Sequence, residues 1–215
     1  MRRQLFYSHF FLRVLIVNGL LFINLSVYAQ IPKEYNDHGL NYLKQGNFNA
    51  AITEFSKAIT ADHNNAQAYT NRALAYVKLG NLTYAISDST QAIEINPKDT
   101  VAYYVRGSIY YNQGSFMQAI SDFSQDIAIN PKVTKGYLSR GLTYLRINNS
   151  NDAVPDLTRV IELNPKYTRA YYNRAVAYYQ LKQYDKAWAD LHRAQGLGVA
   201  VNPDFIEVLK KASGK

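Results

Sequence analysis

Apolar and aromatic positions recur along the chain in two helical stretches that repeat with a constant period between residues 32 and 201. In the first stretch, a tyrosine, a small residue and a second tyrosine lie at positions i, i+4 and i+7. This spacing places all three on one face of a helix with about 3.6 residues per turn. The three evenly spaced series are Tyr35, Tyr69, Tyr103, Tyr137 and Tyr171; Gly39, Ala73, Gly107, Gly141 and Ala175; and Tyr42, Tyr76, Tyr110, Tyr144 and Tyr178.

The second stretch of each period predicts a second helix that packs against the first. In most periods an alanine is followed four residues later by a large apolar residue, as in Ala51 and Phe55. Small residues let two helix axes approach closely, and large residues fill the space around the contact. Turn and stop residues separate the stretches, which indicates an antiparallel helical hairpin. They are Gly46, Gly80, Gly114 and Asn148 in the turns, and Pro97, Pro131 and Pro165 at the ends.

These patterns predict an all-α chain of five helical hairpins with one further helix. The hairpins are expected at residues 32–65, 66–99, 100–133, 134–167 and 168–201. Residues 202–215 do not continue the period, but Asn202 can cap a helix, Pro203 suits a first helical position and Asp204 favours a helix N-terminus. We expect this tail to form a capping helix that covers the exposed face of the fifth hairpin.

The repeating unit resembles the tetratricopeptide repeat, whose signature places aromatic, small, tyrosine, alanine, aromatic and proline residues at these intervals. Segments such as AYTNRALAYVKLGNLTYAISDSTQAIEINP and AYYNRAVAYYQLKQYDKAWADL carry the resemblance. The resemblance implies a right-handed superhelical solenoid whose first helices line a concave, partner-binding groove. Two departures are local: His63 replaces the first proline, and Asp126 stands where the other periods hold Ala58, Ala92, Val160 and Ala194. A carboxylate at a close-packed position is costly without a partner, and the sequence gives no role for it.

The segment from Met1 to Ala29 has the pattern of a secretory signal peptide. Arg2 and Arg3 precede an apolar stretch, and Val27 and Ala29 are the small residues that a signal peptidase reads, which predicts cleavage after Ala29. An uncleaved membrane anchor is the alternative, although the apolar run from Val14 to Val27 is short for a membrane span. The expected location of the mature protein is therefore secreted or periplasmic, without a stable membrane span.

Composition excludes several classes of function. The chain has no cysteine, which excludes disulfides, thiol catalysis and cysteine-bound zinc. Its four histidines are scattered, and no glycine-rich phosphate loop is present, so we expect neither an enzyme nor a cofactor or metal. The net charge is +8, but the expected signal peptide holds three of the basic residues and no acidic one. The smaller surplus that remains favours mildly acidic partners and does not by itself indicate nucleic acid.

Four arginines and four aspartates share a constant separation along the sequence, which favours structural ion pairs between the two helices of each hairpin. The pairs are Arg72 with Asp88, Arg106 with Asp122, Arg140 with Asp156, and Arg174 with Asp190. The first period carries His38 and Glu54 instead. The ten periodic tyrosines favour core packing over a stacking platform for bases.

Side chains next to the packing face of the first helices are the candidate partner-binding residues. They are Asn71, Lys78, Tyr104, Tyr111, Asn112, Arg146, Tyr172, Asn173 and Tyr179. For the four tyrosines, packing on neighbouring first helices remains an open alternative to binding. Repeat arrays that bind the terminal carboxylate of heat-shock chaperones use lysine and asparagine at defined groove positions. Of these positions only Asn71 matches, so the resemblance does not extend to that clamp.

The leading hypothesis is a non-enzymatic scaffold that binds a protein or peptide segment in the groove outside the cytoplasm. Two alternatives remain open. One is a carbohydrate or cell-wall binding module that stacks sugar rings on the groove tyrosines. The other is a structural protein that associates with itself.

Overall fold

The computed structural model describes residues 30–198 and 200–214, and in this part of the chain all the regular structure is α-helical. The first helix, α1, covers residues 30–44. The others are α2 Phe48–Ala61, α3 Ala66–Lys78, α4 Leu82–Ile95, α5 Thr100–Asn112, α6 Phe116–Ile129, α7 Thr134–Arg146, α8 Ser150–Leu163, α9 Thr168–Gln180, α10 Tyr184–Gly196 and α11 Pro203–Ser213. The prediction of an all-α helical repeat array is confirmed. The expected signal peptide, residues 1–29, lies outside the described residues.

The chain divides into two compact units, one ending at Ile95 and one starting at Asn96. The first unit contains α1–α4, which form two helical hairpins. The second contains three hairpins, α5–α6, α7–α8 and α9–α10, followed by α11. In the second unit, α5 contacts α7 and α7 contacts α9, so the first helices of successive hairpins lie side by side. We call the surface formed by these three helices the first-helix face.

In four of the five hairpins a small residue of the first helix meets a large residue of the second, and in the second hairpin Ser89 takes the place of the large residue. A Cβ atom added to Gly39 would overlap the Phe55 ring, and one added to Gly107 would lie 3.0 Å from Phe123 Cε1. Only glycine allows such an approach between a helix backbone and a ring. Phe55 and Phe123 are accordingly among the most deeply buried side chains, together with Leu157 and Leu191 at the same position of later hairpins.

The turn within each hairpin requires one residue in the left-handed conformation. Gly46, Gly80 and Gly114 have φ of 75–76°, and Asn148 has φ of 56°. Glycine adopts this conformation without steric cost, and asparagine tolerates it better than most residues do. In the last hairpin the position is held by Lys182, with φ of 58°. The sequence pattern did not single this residue out.

The C-terminal helix packs on the last hairpin. Leu209 of α11 is fully buried with Ala175, Ala187 and Leu191. Trp188 donates a hydrogen bond from Nε1 to Ser213 Oγ at 3.1 Å, which ties α10 to the end of α11. The tail thus removes from solvent an apolar surface that a following repeat would otherwise cover.

Candidate binding site

A pocket of about 190 Å³ opens on the first-helix face between α5 and α7. Aromatic and aliphatic side chains form its walls, while two serines, one asparagine and the hydroxyls of the two tyrosines supply polar groups. Its lining residues are Tyr104, Ser108, Tyr111 and Asn112 of α5, Phe123 of α6, and Ser139 and Leu142 of α7. Such a combination of apolar walls and a few polar groups is typical of a binding site.

Ser108 explains why the pocket forms in this hairpin. The equivalent position holds Leu40, Leu74, Leu142 and Val176 in the other four repeats. The Ser108 side chain is shorter than any of these, and its hydroxyl donates to the Tyr104 carbonyl of its own helix at 2.7 Å. The space that a leucine side chain would fill is therefore left open beside the tyrosines.

Tyr104 and Tyr111 are half-buried and are held by rings of the neighbouring helix. The centroids of the Tyr104 and Phe123 rings are 5.9 Å apart. The centroids of the Tyr111 and Phe116 rings are also 5.9 Å apart, and these two rings meet edge to face. Both contacts fall in the range of favourable aromatic pairs. Two of the predicted binding residues thus meet at one pocket, with exposed Asn112 beside them.

Tyr172 and Tyr179 are half-buried on the last hairpin, and of the two alternatives left open for them, binding and packing, the structure shows packing against α11. Phe205 of α11 makes edge contacts with both rings at centroid distances of 5.7 Å. The capping helix therefore already occupies this part of the first-helix face. The sequence predicted both the capping helix and the exposed tyrosines, but it did not show that one would cover the other.

The polar residues predicted for the groove lie in different surroundings. In the first unit, Asn71 is buried and donates from Nδ2 to Asn36 Oδ1 at 2.9 Å, so this contact links α1 to α3. Lys78 is exposed at the end of α3. In the second unit, Arg146 is exposed at the end of α7, and Asn173 is half-buried on α9.

Charge is distributed unevenly on the second unit. Helices α5, α7 and α9 contain no aspartate or glutamate. Three of their basic residues, Lys135, Arg146 and Arg169, are exposed. The acidic residues of the three hairpins lie on the second helices or in the connections. The first-helix face consequently offers a positive field to a ligand.

The four arginine–aspartate pairs lie between the helices of their hairpins rather than at the pocket. In each pair, Nε and Nη2 of the arginine donate to the two carboxylate oxygens at 2.7–2.9 Å. Hydrogen bonds to the carboxylates raise the pKa of Arg106, Arg140 and Arg174, so these guanidinium groups stay charged. They are structural groups and not a ladder of free cations.

Three of these arginines also bind the preceding hairpin, a contact that the sequence analysis missed. Nη1 donates to a hydroxyl on the preceding second helix at 2.9–3.0 Å, from Arg72 to Ser56, from Arg140 to Ser124 and from Arg174 to Thr158. The separation between hydroxyl and arginine is the same in all three cases, so the pattern was visible in the sequence. Each such arginine therefore joins three helices.

The sequence predicted core packing for the ten periodic tyrosines, but the structure places most of them half-buried at the edge of the core, around these guanidinium groups. Of the ten, Tyr171 is buried and Tyr42 is exposed. The Cζ atom of the neighbouring arginine lies 5.6–6.0 Å from the ring centroid of six of them, Tyr69, Tyr76, Tyr103, Tyr137, Tyr171 and Tyr178. At these distances the rings attract the cations.

Comparison with known families settles the class of the chain. Residues 39–80 match a family model described as TPR repeat, and residues 66–99, 90–121 and 138–198 match models described as Tetratricopeptide repeat. The chain belongs to the tetratricopeptide repeat proteins. Among curated protein sequences, none matches it.

Solved structures of other tetratricopeptide repeat arrays share its fold. A MamA crystal structure is 24% identical, with a TM-score of 0.73, and the match covers 81% of this chain and 100% of that one. YrrB, described as a TPR protein with an unusual peptide-binding site, is 19% identical over 84% of this chain and 91% of its own, with a TM-score of 0.70. Pseudomonas aeruginosa pilF is 18% identical over 81% of this chain and 79% of its own, with a TM-score of 0.70. At these identities the likeness establishes the fold alone.

The described part of this tetratricopeptide repeat protein offers no cluster of three or more histidine or acidic side chains placed to hold a metal ion. Over the same residues, no helix has both the length and the hydrophobicity that a membrane crossing requires. The candidate site is the pocket on the first-helix face. The sequence analysis identified its tyrosines and Asn112 but missed Ser108, Phe123, Ser139 and Leu142. An alignment of the five repeats could have revealed Ser108, because serine replaces leucine or valine there.

Proposed function

We propose that this protein is a non-enzymatic scaffold that binds a mildly acidic protein segment on the first-helix face of its second unit, outside the cytoplasm. The observation that carries the proposal is the pocket between α5 and α7, where Tyr104 and Tyr111 meet Ser108 and Asn112. Tyrosine supplies a large contact area together with a hydroxyl, and it is a favoured anchor of protein interfaces.

Two further observations support a peptide ligand. The absence of acidic residues from α5, α7 and α9 favours association with a segment that carries aspartate or glutamate. YrrB, a protein of the same fold, has a peptide-binding site according to its description. Because packed helices hold the pocket walls, little ordering of the protein is required when a ligand binds.

A location outside the cytoplasm rests on the segment from Met1 to Ala29 alone. Its charged, apolar and small-residue parts follow the order of a cleavable signal. Mass spectrometry of the protein purified from its native host tests whether the segment is cleaved after Ala29. The expected mature N-terminus is Gln30. A full-length product that stays in the membrane fraction would instead establish the anchor.

The binding proposal can be tested by site-specific photocrosslinking in the native host. A photoreactive amino acid replaces Asn112, at the rim of the pocket, and in a matched variant it replaces Met117, which is 70% exposed on α6. We expect Asn112 to give discrete crosslinked protein bands and Met117 to give none of them. Equal labelling from both positions, or none from Asn112, would contradict the proposal.

A further inference from the structure

The protein contains an internal example of how its groove tyrosines bind a ring. Tyr172 and Tyr179 stand two periods after Tyr104 and Tyr111, so the two pairs occupy the same positions of the fifth and third repeats. Phe205 contacts the pair of the fifth repeat edge-on, with interplanar angles of 72° to Tyr172 and 83° to Tyr179. Near-perpendicular contacts of this kind are a favoured arrangement of aromatic rings.

In the third repeat the same tyrosine pair borders open space. The neighbouring first helix presents Ser139 and Leu142, and a pocket of about 190 Å³ remains. An apolar cavity of about 150 Å³ is large enough to bind benzene. The pocket therefore has the size of one aromatic side chain, and its polar groups suit a ring that carries a hydroxyl or an indole nitrogen.

We propose that this pocket receives a single aromatic side chain of an acidic partner segment, held by Tyr104 and Tyr111 as Phe205 is held by Tyr172 and Tyr179. This inference rests on the proposed function and specifies its ligand. The partner segment contributes the ring, and acidic residues beside the ring lie near the exposed basic residues of the first-helix face.

The sequence around Phe205 supports an acidic context for the ring. Asp204 precedes Phe205 and Glu207 follows it by two residues, so the internal occupant is itself an aromatic residue between carboxylates. Lys135 and Arg146 are exposed on α7, the helix that forms one wall of the pocket, and neither α5 nor α7 contains a carboxylate side chain. Charge complementarity thus favours the same type of segment at the pocket beside Tyr104 and Tyr111.

Two variants of one residue separate an open pocket from a filled one. Ser108→Leu introduces the side chain that three other repeats carry at this position and fills the pocket. Ser108→Ala removes the hydroxyl but leaves the space open. The two variants are expected to retain the wild-type thermal unfolding temperature, since leucine is already compatible with this helix position elsewhere in the array.

The probe is a fluorescein-labelled peptide, EEDFIEE, whose central residues copy 204–207. We expect the full-length mature protein to bind it at low salt, and replacement of its phenylalanine by alanine to weaken binding by about tenfold or more. Tyrosine and tryptophan in that place are expected to preserve binding, and leucine to lose several-fold. Ser108→Leu is expected to abolish the preference for an aromatic residue, whereas Ser108→Ala keeps it.

Several outcomes would overturn the inference. They are no binding of the phenylalanine peptide up to about 1 mM, equal binding of the phenylalanine and alanine peptides, or an aromatic preference that survives Ser108→Leu. Binding of chitohexaose that Ser108→Leu removes would assign the pocket to a sugar, and a dimer that Ser108→Leu dissociates in sedimentation would assign it to a second copy. Photocrosslinking from Asn112 to a protein partner would remain positive if only the aromatic specificity failed.

Discussion

Asp126 is the least expected residue of the core. It is 2% exposed, and its Oδ2 atom has no hydrogen-bond partner among the residues that the structure describes. Burial raises the pKa of Asp126 from the ordinary 3.8 to about 6. The folded protein therefore holds this proton over a pH range in which the unfolded chain has lost it, and stability falls as the pH rises from about 4 through about 6.

Asp126→Ala is expected to stabilise the protein at neutral pH. Alanine stands at this position in three other repeats. The stability difference between the variant and the wild type should grow from near zero at pH 4 to at most about 3 kcal/mol at pH 7, the equivalent of about two pKa units. Urea unfolding at several pH values measures this difference. A stability difference that is independent of pH would contradict the prediction. Glu94→Ala, which replaces an exposed carboxylate, serves as the control.

Gly136 on α7 lies directly against the carboxylate of Asp126. Other repeats have Ala68, Ala102 or Ala170 where α7 has Gly136. A Cβ atom added to Gly136 would lie 2.7 Å from Asp126 Oδ2 and 2.9 Å from Ile127 Cγ1. The glycine thus makes room for the carboxylate.

A double-mutant cycle tests this relation. Gly136→Ala alone is expected to be neutral or destabilising, because the gain in helix propensity is offset by contact with the carboxylate. In the Asp126→Ala background the same change should stabilise by up to about 1 kcal/mol. Denaturant unfolding should give a coupling of about 1 kcal/mol or more between the two sites. Gly196→Ala should show no such coupling, because a Cβ atom added there would meet no atom of another part of the described chain within 4 Å.

At the scale of helices and turns, Lys182 adopts a backbone conformation that costs a lysine about 1 kcal/mol. It is exposed in the turn between α9 and α10, with φ of 58°, where three other turns have glycine. Lys182→Gly is expected to raise the free energy of unfolding by about 0.5–1 kcal/mol, and Gly114→Lys to lower it by a similar amount. Thermal unfolding of the two variants checks the opposite signs, and the same sign for both would contradict the argument.

The sequence predicted the elements well because the period itself carries the information. Two antiparallel helices of constant length bring residues at a fixed separation to the same level, so the spacing of Arg140 and Asp156 was sufficient to relate them. The same separation relates Ser124 to Arg140, but the spacing alone did not show that the two are bonded, because that contact depends on how successive hairpins stack. Nor did it predict the pocket, which arises from one short side chain, Ser108, among neighbours contributed by three helices.

At the scale of the whole molecule, the sequence predicted that a capping helix covers the fifth hairpin but did not show which side chains it would cover. Asn202 and Pro203 marked the start of α11, and the structure places Asn202 Oδ1 as an acceptor for the Asp204 backbone N–H at 2.9 Å. The side chains that α11 would meet depend on the connection after α10, for which the period gives no rule. Consequently Tyr172 and Tyr179 were assigned to a ligand although Phe205 contacts them.

The cap should be the first part of the second unit to separate when its anchor is weakened. Leu209 is fully buried against Ala175, Ala187 and Leu191, so Leu209→Ala is expected to cost about 2–5 kcal/mol of local stability. Trp188 is the only tryptophan of the chain and packs on this cluster, so its fluorescence reports the docking of α11. In the Leu209→Ala variant we expect the fluorescence transition in urea to precede the loss of helical circular dichroism.

Val208→Ala, one residue earlier and 45% exposed, should leave the two transitions as they are in the wild type. If the two transitions coincide in Leu209→Ala, then α11 is not a separable cap, because its loss unfolds the helices beneath it.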